Sequence, residues 1–255
     1  MAAYEEGRLM NLVLTWLTDP THWSGDDGVP HRILEHLTYS AVALVIAAII
    51  AIPLGLYVGH TGRGKFLVVN IAGAARAIPS LGLLFIMVLA LGPRLSGDAA
   101  FVVPCLVVLA VLAVPPILAG AYAGVEEVDA GARDAAKGMG MRDVQVLVKV
   151  ELPCALPLIF SGLRSATLQV VATATIAATA GLGGLGRLLI DGLAVRDFGQ
   201  MAAGAVLVAA LALVVDLAFA LVQRYAVSSG LTGRRAASRR SRPKASADSI
   251  PITIS

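Results

Sequence analysis

Few residues in this chain could do chemistry, and most of those lie inside apolar runs. Gly181, Gly183 and Gly186 satisfy Gly-x-Gly-x-x-Gly, the spacing that seats a dinucleotide pyrophosphate at a helix N-terminus. That chemistry needs a soluble strand before the glycines and a βαβ unit around them. Here an apolar run precedes them, so close backbone packing or a re-entrant turn accounts better for the pattern. The phosphate-cradling Gly-x4-Gly-Lys-Ser/Thr does not occur, so ATP chemistry is not expected on this polypeptide. Cys105 and Cys154 have no metal-ligand spacing and read as unpaired packing residues. No metal site is expected.

Polar residues within apolar runs are expensive and often functional. Arg76 precedes Pro79-Ser80, where a kink would free carbonyls to line a cavity; it reads equally as a structural partner for a carbonyl or acid. Gln169, Thr173 and Thr179 sit among alanines, a pattern of small-residue helix packing with hydrogen bonds between helices, and a pathway wall is the alternative. Asp216, alone in the last run, is a buried hydrogen-bonding group or the proton-relay acid of an ion-coupled transporter. Arg164 is expected to snorkel from the start of the fourth run.

The elements that must carry these groups are membrane spans. The chain is 57% hydrophobic and 15% charged, with mean hydropathy +0.81; soluble domains average about 25% charged. Five runs at about 37–58, 66–91, 99–123, 155–180 and 199–223 approach or exceed the roughly 20 apolar residues that cross a bilayer core. Backbone groups must be satisfied within lipid, so each span is expected to be an α-helix. The fold class is therefore an all-α polytopic membrane protein with about five transmembrane helices, or six if 66–92 is split. The glycine-rich 181–198 segment reads as a re-entrant or interfacial helix.

Placing the N-terminus outside puts Arg63, Lys65, the basic residues of 126–153 and the Arg-rich tail inside, and leaves Arg8, Arg32, Arg94, Arg187 and Arg196 outside. Residues 1–33 then form an extracytoplasmic or interfacial segment, with Leu9, Leu12, Val13, Trp16 and Leu17 on one helical face. Residues 34–225 form the membrane domain, and the basic 226–255 tail is expected to be disordered and cytoplasmic. Nucleic-acid binding is not expected.

Between the third and fourth runs lies a polar island, EEVDAGARDAAKGMGMRDVQVLVKVELP, residues 126–153. Val128 to Val146 reads as helix, turn, helix. Asp129 and Arg133 are four apart, as are Arg133 and Lys137, so this surface is charged and solvated. Met139 and Met141 offer adaptable apolar contacts. Pro153 marks entry into the next span.

The island resembles the "EAA" loop of ABC-importer permeases. Asp134-Ala135-Ala136 stands where that family has Glu-Ala-Ala, followed at the family's offsets by Gly140, Val150, Leu152 and Pro153. Three flanking elements, AIPSLGLLF (77–85), PPILAGAYAGVEEVD (115–129) and GLGGLGRLLIDGL (181–193), together with Lys-Gly-Met-Gly-Met, are similar to the osmoprotectant branch that takes up glycine betaine, carnitine and choline. Asp134 departs from the pattern by keeping the charge on a shorter arm. The resemblance implies a type I importer permease of the bacterial cytoplasmic (inner) membrane, itself non-catalytic. It would be coupled through 132–153 to a cytoplasmic ATPase by Asp134, Ala135, Ala136, Gly138, Gly140, Leu152 and Pro153. It also implies a second permease copy or paralogue, an extracytoplasmic substrate-binding protein, and ATP and Mg held by the ATPase, with no cofactor on this chain. A permease for amino acids or other polar solutes, or an ion-coupled secondary transporter using Asp216, are the alternatives.

Overall fold

The computed structural model describes residues 2–74 and 77–226. Arg76 and the basic tail lie outside the described residues, so their expected roles are not addressed by it. Every regular element described is helical, as the composition requires.

Helix α1 (Ala2–Thr18) leads through a 3₁₀ turn into α2 (Val29–Thr61). The second helix starts eight residues before its apolar run, because Pro30 in the first turn is preset for helical φ. It stops at Gly62, whose φ of +68° is open to glycine, and the Gly62 N–H donates to the Val58 carbonyl.

The second apolar run is divided into α3 (Lys65–Ala74) and α4 (Ser80–Leu91), each too short to cross a bilayer alone. Pro79 caps α4 from an extended conformation and has no N–H to continue a helix. Next come α5 (Ala99–Glu126), α6 (Ala130–Gly138) and α7 (Asp143–Val146). A π-helical turn (Leu147–Glu151) then runs straight into α8 (Leu152–Ala177). The chain ends its described part with the short α9 (Gly186–Val195) and the long α10 (Phe198–Ala226). Four continuous stretches, Val29–Thr61, Ala99–Glu126, Asp143–Ala180 and Phe198–Tyr225, are long and apolar enough to cross a membrane.

The core sits on α5, flanked by α2 and α8. Glycines set how closely these helices meet. A Cβ on Gly55 of α2 would lie 2.6 Å from the Ala121 Cβ, and one on Gly59 2.7 Å from the Val125 Cβ. On the other side of α5, a Cβ on Gly120 would fall 2.6 Å from the Leu158 carbonyl oxygen, and one on Gly124 2.8 Å from that of Ala155. Gly55/Gly59 and Gly120/Gly124 are thus two Gly-x-x-x-Gly faces. They suit an environment where van der Waals contact, not water exclusion, drives helix association. Helix α10 packs on α8, α9 and α1, with Trp16 buried beside Leu185, Leu188 and Ala203. The N-terminal helix is therefore docked against the bundle through Trp16 and Leu17, while Leu12 stays exposed.

Candidate functional site

The polar island folds into a short exposed helix at one end of the bundle. The Asp129 side chain caps α6 by accepting the Ala132 N–H at 3.0 Å, the local signal that starts a helix here. Asp134, Ala135 and Gly138 are exposed, and Met139 is 72% exposed. Gly140 turns the chain with φ +83°, and a Cβ at Gly138 or Gly140 would meet nothing. A partner backbone can approach this face closely. Ala136 points the other way and is buried in the chain's own interior, so it supports the helix from behind. Leu152 is half-buried and Pro153 exposed where α8 begins.

Glu151 ties the island to the spans. It is 1% exposed, the His60 Nδ1 at the tip of α2 lies 2.6 Å from Oε2, and Arg133 Nε of α6 lies 2.8 Å from Oε1. The Arg133 N–H is not aimed along that contact, so the interaction is an ion pair rather than an aligned hydrogen bond. A terminal guanidinium nitrogen of Arg133 donates to the Val125 carbonyl near the end of α5. Close by, Lys65 pairs with Glu126, which holds the Lys65 ammonium above its ordinary range. Neither Glu151 nor His60 is among the functional residues expected from the sequence; the one local signal is an acid set directly before Leu152-Pro153, where the chain returns to apolar surroundings.

Along α8 runs an uncovered stripe at three- and four-residue spacing, Ser161, Ser165, Gln169, Ala172 and Ile176, ending at Thr179, with Cys154 exposed seven residues before Ser161. A stripe with this many polar groups is unsuited to lipid. Two hydroxyls are turned inward on their own helix: Thr173, half-buried beside the stripe, donates to the Gln169 carbonyl, and Thr179 to that of Ile176, each at 2.8 Å. At the island end the stripe opens into a cavity of about 700 Å³, lined by Glu127, Asp129, Cys154, Ser161 and Gln223 among others. Helix α4 touches α8, and Ser80 is half-buried at its start, with Pro79 exposed at the break.

Asp216 is not alone. Arg164 of α8 grips it with both arms, Nε at 2.5 Å from Oδ1 and Nη2 at 2.6 Å from Oδ2. The pair lies mid-helix on α8 and α10, so Arg164 does not snorkel to an interface. Sequence separation of 52 residues hid this pairing.

At the opposite end the glycine loop packs against α2. Gly184, with φ +91°, donates its N–H to Glu35 Oε2 at 2.9 Å, and a Cβ on Gly183 would lie 2.6 Å from Glu35 Oε1. His36, buried beside it, places Nε2 3.0 Å from the Val171 carbonyl. The fingerprint spacing therefore serves backbone packing against α2, with the Glu35 carboxylate accepting the Gly184 N–H.

Apolar helices crossing a bilayer, a polar stripe uncovered within them and a short polar helix tied to their ends define a membrane component of a transport system. The chain belongs to the family of binding-protein-dependent transport system inner membrane components, which matches residues 51–227. It is accordingly a multi-pass protein of the bacterial inner membrane. The choline transport system permease protein OpuBB of Bacillus subtilis is 32% identical over 203 residues, 79% of this chain and 89% of that protein. The osmoprotectant import permease protein OsmW of Salmonella typhimurium is 35% identical over 187 residues, 71% and 84% of the two chains. The carnitine transport permease protein OpuCD of Listeria monocytogenes is 35% identical over 197 residues, 77% and 85%. These relatives fall in the branch that the island and its flanking elements resemble. An inward-facing conformation of the MetNI methionine ABC transporter superposes with TM-score 0.65 at 25% identity, covering 76% of this chain and 94% of that one.

Proposed function

We propose that this chain is the permease subunit of an ATP-driven importer for quaternary-ammonium osmoprotectants such as glycine betaine, choline and carnitine, or proline. The exposed Asp134–Gly140 face carries the reading: a short helix free to enter a partner's groove yet tied through Arg133 and Glu151 to α5, α2 and α8. On this reading the island faces the cytoplasm and an ATPase holds ATP and Mg. This chain is non-catalytic and needs no cofactor. Its neighbours are a second permease copy or paralogue and an external binding protein that captures the solute first. Asp134, Ala135, Gly138 and Gly140 make the contact, Ala136 backs it, and Leu152 and Pro153 pass the movement into α8. The Gln169 stripe, with Ser80 and Pro79 at the α4 break, lines the route of the solute.

The relatives at 32–35% identity that favour this substrate class carry choline, carnitine, glycine betaine or osmoprotectant in their names. The competing reading, amino-acid import, draws on the methionine transporter, which is 25% identical. Uptake into proteoliposomes holding the complete complex separates them. Competition by choline or betaine with none by methionine is expected, and the reverse would favour amino acids. Deleting residues 132–142 is expected to abolish copurification with the ATPase; retained association would overturn the coupling assignment.

A further inference from the structure

We infer that Glu151 is the positioning residue that makes the island helix move as one body with the membrane helices, so that breaking it uncouples ATP hydrolysis from transport. The inference rests on the reading of α6 as the ATPase contact.

Apolar packing cannot hold α6 to the bundle. Of its nine residues only Ala136 is buried, so a single methyl group is the helix's whole share of the core. The Lys137–Asp143 pair joins α6 only to the neighbouring α7, at 3.4 Å with both side chains mostly exposed, and such pairs hold little. The Asp129 cap starts the helix but anchors nothing beyond its own turn.

The remaining link runs through Arg133. It reaches the Glu151 carboxyl at 2.8 Å and also the Val125 carbonyl. Glu151 in turn meets His60 at 2.6 Å, 91 residues away at the end of α2. One buried carboxyl thus collects α2, α6 and the start of α8.

Local backbone geometry points the same way. Leu147–Glu151 is π-helical although no glycine or proline interrupts it, and its wider turn alters the register just before α8. Glu151 at its end is buried, whereas Val148 and Lys149 in the same turn are exposed. A push on α6 in one direction or the other is therefore delivered to a polar contact between rigid elements.

The test uses the complete complex in proteoliposomes, with ATP hydrolysed per solute imported as the readout. Glu151→Gln and Arg133→Gln are each expected to copurify with the ATPase while this ratio rises about fivefold or more, the lower end of ordinary coupling energies. The effects of the two single substitutions should combine less than multiplicatively in the double one, because the Arg133–Glu151 contact is already broken in each. A merely structural role would lower hydrolysis and uptake together and leave the ratio unmoved, which would overturn the inference. If Glu151→Gln fails to reach the membrane, Arg133→Gln decides alone, since its side chain is a quarter exposed. A wild-type ratio in these variants, alongside loss of ATPase binding on deleting 132–142, would remove the Glu151 tie and leave the proposed function standing.

Discussion

Arg164 and Asp216 form a two-pronged ion pair across α8 and α10, with both guanidinium–carboxylate contacts at or below 2.6 Å. In a region of low dielectric, each charge is tolerable because the other is present. The pairing places Asp216 as a hydrogen-bonding group held by a partner, not as the lone acid of its span.

Stability follows from that pairing. Asp216→Asn and Arg164→Gln are each expected to lower the thermal midpoint of the detergent-purified protein. The double substitution should recover part of the loss, since it removes the stranded charge along with its partner. Additive losses would show that the two residues act independently.

Helix approach is set by glycines, and their surroundings predict opposite outcomes. A Cβ on Gly162 would stand 2.6 Å from the Pro116 carbonyl oxygen, against backbone that cannot yield. Gly162→Ala should destabilise the bundle by about 1–3 kcal/mol, the usual cost of overpacking. Gly138→Ala adds a methyl to open space at the end of α6 and should leave unfolding unchanged, while weakening ATPase copurification. Equal melting losses for the two would contradict the geometry.

The two cysteines should differ in reactivity. Cys154 is exposed at the 700 Å³ cavity and Cys105 is buried in α5. A membrane-permeant maleimide is expected to modify Cys154 alone, as peptide mass spectrometry would show. If the stripe is the solute's route, the bulky adduct should also block uptake, and Cys154→Ser should restore it in the presence of the reagent.

Side chains on and beside the stripe are not equivalent. Gln169 is exposed with no hydrogen bond from its amide among the described residues, whereas the Thr173 hydroxyl is bonded to its own helix. Gln169→Leu should lower uptake about tenfold, equivalent to ~1.4 kcal/mol, with ATPase copurification intact. Thr173→Val should change it little. Similar losses in both would mean that α8 tolerates no change there, independent of any pathway.

Sequence alone determined the class of this protein and the outline of its island. Apolar runs long enough to cross lipid admit only helices, Val128 to Val146 reads as helix, turn, helix, and Pro153 marks entry into the next span. The spacing from Asp134 to Pro153 identified the family on similar local grounds. Which helices lie against which was decided only in three dimensions. Periodicity cannot distinguish a glycine facing lipid from Gly120 facing Leu158, because both sides are apolar. Nor can it say that Glu151 meets His60 and Arg133, or that Asp216 meets Arg164. Such partners lie up to 91 residues apart, and their attraction depends on distance and burial, which no local pattern encodes.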